Sequence, residues 1–153
     1  MFVSEKVIDG ISEALENADF EREIEIFGKQ QPALLGYVFS EDFELLTREE
    51  REYMLYLLIV LCKCIEQVEG ELPVIHADNL GEAEERNWEL LDAVTETRFR
   101  DRMNVFFEDS DQEDLLAFIE DALIEDDDDS VVTKEGREPM FVALKSVVDV
   151  LCQ

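Results

Sequence analysis

"TREEREYMLYLLIVLCKCIEQV", Thr47 to Val68, is the stretch on which the fold turns. It opens on a capping box, in which the Thr47 hydroxyl accepts from the first-turn backbone and Glu50, three residues on, reaches back to the Thr47 amide. From Tyr53 to Ile65 the helix it starts, about Arg48 to Val68, is apolar on nearly every face, and such a helix belongs at the centre of a bundle. The unbroken apolar run from Tyr53 to Cys62 is about half the length that a membrane span needs. A buried helix of a soluble protein is the expectation.

Moving towards the N-terminus, Val3, Val7, Ile11 and Leu15, widened by Ile8 and Ala14, form one helical stripe through Ala18. Phe20, Ile24 and Phe27 continue it after a small offset, and Gly28 reads as its stop. Pro32 opens a short second element that ends near Ser40. On the other side, Gly70 and Pro73 mark a connection, after which Asn79 and Glu82 offer a second capping box. Trp88, Leu91, Thr95, Phe99, Met103 and Phe106 then recur at helical intervals as one long helix. Ser110 and Glu113 repeat the capping pattern ahead of Leu115, Leu116, Phe118, Ile119, Ala122 and Leu123. Pro139 reads as the start of a last helix, with Met140, Phe141, Leu144, Val147, Val148 and Leu151 inward. Alternation of period two is nearly absent, and there is neither an internal repeat nor a flexible linker. The expected fold is an all-α, single-domain bundle spanning residues 1–153, with about five to six helices around the central 48–68 helix.

Composition narrows the function classes. The chain carries 40 Asp plus Glu against 13 Lys plus Arg, a formal charge of −27, within an ordinary apolar fraction of 46%. A field of that sign repels nucleic-acid backbones and anionic membranes unless a basic stripe intervenes. The densest basic stretch, "TRFRDRMN", holds Arg98, Arg100 and Arg102 among acids, and reads as arginines paired with Glu96, Asp101 or a neighbouring helix. The N-terminal "MFVSEKVIDG" has no basic-then-apolar targeting pattern, and a cytoplasmic protein is expected. Cys62, Cys64 and Cys152 form an odd set; the first two diverge by about 200° on a helix, so buried structural thiols in a reducing compartment are expected.

Each candidate catalytic or metal motif has a simpler reading. Asp109, Asp111, Glu113 and Glu120 fall at positions one, three, five and twelve of an EF-hand loop, but Asp114 occupies the position that needs glycine. The same residues read as a capped amphipathic helix, which Leu115, Phe118, Ile119 and Leu123 require. A carboxylate-bridged di-iron site needs two Glu-x-x-His pairs, and the single histidine, His76, sits in the Pro73 loop. That histidine has no local nucleophile signature beside it, zinc finds no ligand pairing, and the six glycines stand singly with no phosphate loop. Tyr53, Tyr56 and Trp88 read as core aromatics. No cofactor and no metal are expected, and the protein is read as non-enzymatic.

The charge itself remains. From Met103 to Thr133 no Lys or Arg occurs, while Glu108, Asp109, Asp111, Glu113, Asp114, Glu120, Asp121, Glu125, Asp126, Asp127, Asp128 and Asp129 accumulate. Such a face would bind a basic protein partner in a salt-sensitive way, as an immunity protein, a nucleic-acid mimic or a holding chaperone does, although no motif matches any of these. A divalent-cation binder built on residues 109–129 is the alternative, and an enzyme with a buried carboxylate is third. Phe20, Phe27, Leu34 and Phe39 offer an apolar face for a homodimer, weighed evenly with a monomer.

Overall fold

A computed structural model describes residues 1–124 and 131–152. Among these, eight α-helices and no strands are found: α1 (Glu5–Glu16), α2 (Phe20–Gln30), α3 (Pro32–Val38), α4 (Arg48–Glu69), α5 (Ala77–Asp92), α6 (Phe99–Asp109), α7 (Glu113–Leu123) and α8 (Lys134–Leu151), with a single 3-10 turn at Glu41–Phe43. The all-helical class is as expected. The helix number exceeds the expected five to six because two apparently continuous stripes are each broken once.

The first break falls at residues 17–19, where Asn17 ends α1 and the Asp19 carboxylate caps α2 by accepting from Arg22. Gly28 does not stop α2, which runs on to Gln30. The glycine is needed there for space: a Cβ would come within 2.8 Å of Leu35 Cδ2 on α3, so α2 and α3 cross closely at this point. The second break separates α5 from α6 over residues 93–98, even though Leu91, Thr95, Phe99 and Met103 keep a spacing of four straight across it. Arg102 holds the break in place. Its guanidinium donates to the carbonyls of Val94 and Glu96 and forks onto Glu138 of α8 at 3.1 and 3.2 Å.

Three helix starts differ from expectation. His76, exposed, is the N-cap of α5, so Asn79 lies inside the first turn. Ser110 ends α6 instead of capping α7, whose N-cap is Gln112; the Ser110 hydroxyl accepts from the Gln112 amide. Pro139 lies within α8, which begins at Lys134 with Thr133 as its cap. The cost of that proline is the amide hydrogen bond it cannot donate back along the helix.

The centre is shared. α4 is buried from Met54 to Ile65 on all but the Tyr56 and Lys63 positions, as its sequence requires, and α8 is buried continuously from Met140 to Val148. These two helices pack on each other, and α5, α7 and α6 close over α8 while α1, α2 and α3 close over α4. Phe106 stacks on Phe141 at 5.5 Å between centroids, and Phe99 meets the same ring edge-on. Gly70, at φ 91°, ends α4 in a conformation that favours glycine.

The two helix starts are joined by one side chain. Glu50, 1% exposed, completes the capping box at Thr47 through Oε1 at 2.8 Å, and its Oε2 accepts from both the amide and the hydroxyl of Thr133, at 3.0 and 2.9 Å. Gly136 leaves room for it, since a Cβ there would lie 2.0 Å from that oxygen. A carboxylate at two helix N-termini is favoured by both dipoles.

Candidate functional site

The acidic stretch is divided by the fold into paired and unpaired members. Glu125, Asp126, Asp127, Asp128 and Asp129 lie outside the described residues. Of the others, Glu108, Asp111, Glu113 and Asp121 are exposed, whereas Asp109, Asp114 and Glu120 are partly or wholly withdrawn from water. Asp109 and Glu120 meet cations carried by remote segments, and the Asp114 carboxylate accepts from the Glu5 amide at 3.0 Å, capping α1 from α7.

Asp109 belongs to a buried cluster that the sequence reading did not anticipate. Lys145 on α8 is 0% exposed, and its ammonium donates to Asp109 Oδ2 at 2.7 Å, Asp149 Oδ2 at 3.0 Å and Asn87 Oδ1 at 3.0 Å. All three of its protons are thereby used. Asn87, also fully buried, donates on to Ser146 and Asp149, and Ser146 closes the chain on the Val142 carbonyl. Arg86 meets the other oxygen of Asp109, and the Phe106 ring faces the ammonium at 5.5 Å. The available signal was Lys145, followed by Ser146, standing within the otherwise apolar "MFVALKSVV" with Asp149 one turn on.

Glu120 is paired with Arg100, which also reaches Asp121 at 3.3 Å. The EF-hand alternative therefore finds its ligand positions dispersed: Asp109 faces Lys145, Glu113 begins α7 and Glu120 faces Arg100. Among the described residues no group of three or more His, Cys, Asp or Glu side chains converges on a point.

Other expectations are distributed as follows. Cys62 and Cys64 are buried and Cys152 is half-buried, all three free. Burial pushes the Cys62 and Cys64 thiols up to about 12 and Cys152 to about 11, far from the thiolate that nucleophilic chemistry needs. Tyr53, Tyr56 and Trp88 are partly buried against the core, with Tyr53 and Tyr56 stacked at 6.3 Å. The apolar face expected for a homodimer does not persist: Phe27 and Leu34 are core residues, Phe20 packs on Tyr56, and only Phe39 of the four is exposed. No helix among the described residues is long and apolar enough to cross a membrane.

What the sequence did not reveal is that α1 adds to the acidic face. Gln112, buried at the α7 N-cap, receives the Val3 amide at 3.0 Å and donates to the Met1 carbonyl at 2.7 Å, and Asp114 caps α1 beside it. Glu5 and Asp9 are thereby laid alongside Asp114 and Asp121. These four acids line a recess of about 210 Å³ together with Ile8, Ala117 and Phe118.

Comparison with protein families, with curated proteins and with solved structures finds no match to this chain.

Proposed function

We propose that this chain is a non-catalytic interaction domain that binds a basic protein through an acidic face made by α1, the α6–α7 junction and α7. The observation that supports this most is the stitching of α1 to the start of α7 by Gln112 and Asp114, which assembles acids from two remote segments into one surface. Glu5, Asp9, Glu108, Asp111 and Glu113 all face water. Charges of one sign gathered within a Debye length, about 8 Å at physiological salt, act together on an approaching cationic surface. Arg86, Arg100 and Lys145 are engaged by Asp109 and Glu120, and among the described residues none of these five outer carboxylates forms an ion pair.

The test is affinity capture from a native cytoplasmic extract with the full chain as bait. A basic protein should be retained at low salt and released as salt rises towards about 0.5 M. Changing Asp9, Glu108, Asp111 and Glu113 to their amides should abolish retention, while amides at Glu21, Glu25, Glu41 and Glu44, equally exposed but elsewhere, should leave it. Equal loss with both sets would reduce the effect to net charge and end the proposal of a specific face.

A further inference from the structure

We infer that the recess between α1 and α7 seats a single apolar side chain of the basic partner, with cationic neighbours on either side of that anchor. The inference rests on the binding face proposed above and specifies what occupies it. The recess, about 210 Å³, is smaller than the roughly 300–1,000 Å³ pockets that enclose whole small molecules, so it fits one inserted side chain. Its apolar lining, Ile8, Ala117 and Phe118, is buried or half-buried, and its polar lining is entirely anionic: Glu5, Asp9 and Asp121, which are exposed, and Asp114, which is half-buried. Arg100 approaches Asp121 at 3.3 Å but is not part of the lining, and its other nitrogen is held by Glu120.

Charge complementarity decides the occupant. An isolated leucine or methionine flanked by arginines or lysines would bury its apolar atoms on the apolar lining while its neighbours meet the carboxylates of the recess. A second copy of this chain would bring a further −27 to an anionic lining and is disfavoured. The walls are already fixed, because the Glu5 amide bonds Asp114 and Gln112 holds Met1 and Val3, so seating an anchor requires little ordering of the receptor.

The probes are two peptides of equal charge, one with a central leucine between arginines and one with serine in its place, titrated against the full chain at low salt. The leucine peptide should bind about tenfold more tightly, and Ala117→Phe, which fills the recess, should erase that advantage while leaving serine-peptide binding unchanged. Amide shift mapping on the unaltered protein makes the test independent of how the variant folds: shifts from the leucine peptide should centre on Ile8, Asp9, Ala117 and Phe118. Equal affinities for the two peptides, or shifts that avoid these residues, overturn the seat but leave the acidic face standing. No binding of either peptide overturns both.

Discussion

Asp109 and Glu120 lie in one acidic stretch, each is withdrawn from water and each meets a cation, yet their carboxyls move in opposite directions. For Asp109, burial pushes upward, but the hydrogen bonds from Lys145 and Arg86, together with their charges, outweigh it and hold the carboxyl below its ordinary range. For Glu120, burial again pushes upward, Arg100 recovers only part of that, Asp121 adds to the rise, and the carboxyl stays above its ordinary range. The cations differ: Asp109 meets both Arg86, 55% exposed, and the Lys145 side chain, 0% exposed and fixed by three acceptors, whereas Glu120 meets Arg100, 56% exposed. A counter-ion compensates a buried carboxylate well when it is itself dehydrated and held by other bonds. An ion pair with a solvated partner compensates less.

The largest test of this contrast removes the buried cation. Lys145→Ala removes the ammonium that Asp109, Asp149 and the Asn87 carbonyl share, leaving Asp109 with Arg86 and Asp149 with the Asn87 amide, and should cost about 3–5 kcal/mol in urea unfolding. A cost below about 1 kcal/mol would mean that the cluster is only loosely dehydrated.

A smaller effect is read through pH. Because the folded Asp109 titrates below its unfolded value, near 3.9, its contribution is complete above that pH and is lost as pH falls through the folded value. Asp109→Asn should therefore destabilise by about 1–3 kcal/mol at neutral pH, with the gap from the wild type closing progressively below about pH 4. A gap independent of pH would assign the loss to packing instead of charge.

The smallest effect has the reverse sign. Glu120 titrates above its unfolded value when folded, so the stability it contributes is present at acid pH and declines as pH rises through the folded value. Glu120→Gln should then be neutral or stabilising by up to about 1 kcal/mol at pH 7, with no advantage once the wild-type carboxyl is protonated. Clear destabilisation at neutral pH would show that Arg100 compensates Glu120 as fully as Lys145 compensates Asp109, and would dissolve the contrast.

How much of this was legible in the sequence depends on how far apart the interacting residues lie. The Thr47–Glu50 capping box, the burial of α4 and the start of α3 at Pro32 are local and were readable. The break between α5 and α6 was not, because no glycine or proline marks residues 93–98 and the apolar spacing runs through; it is held by Arg102 reaching Glu138 on another helix. Pro139 misled for a related reason, since Thr133 supplies a cap that lets the helix start earlier and carry the proline inside. In the acidic region the composition was readable but the division was not. Whether a given carboxylate faces water or a cation was decided by Arg86, Arg100 and Lys145, two of them upstream of the run and one beyond it, and the recess itself needs α1, more than a hundred residues away in the chain.

The double attachment of Glu50 closes most of the molecule into a ring. Its carboxyl ties the start of α4 to the start of α8, so the intervening chain is anchored at both ends by one side chain. Local fraying is thereby coupled: opening the first turn of α4 withdraws the acceptor of Thr133, opening that of α8 strips Glu50 Oε2 of its two donors, and the amides of Thr47 and Thr133 should exchange with solvent as a single unit.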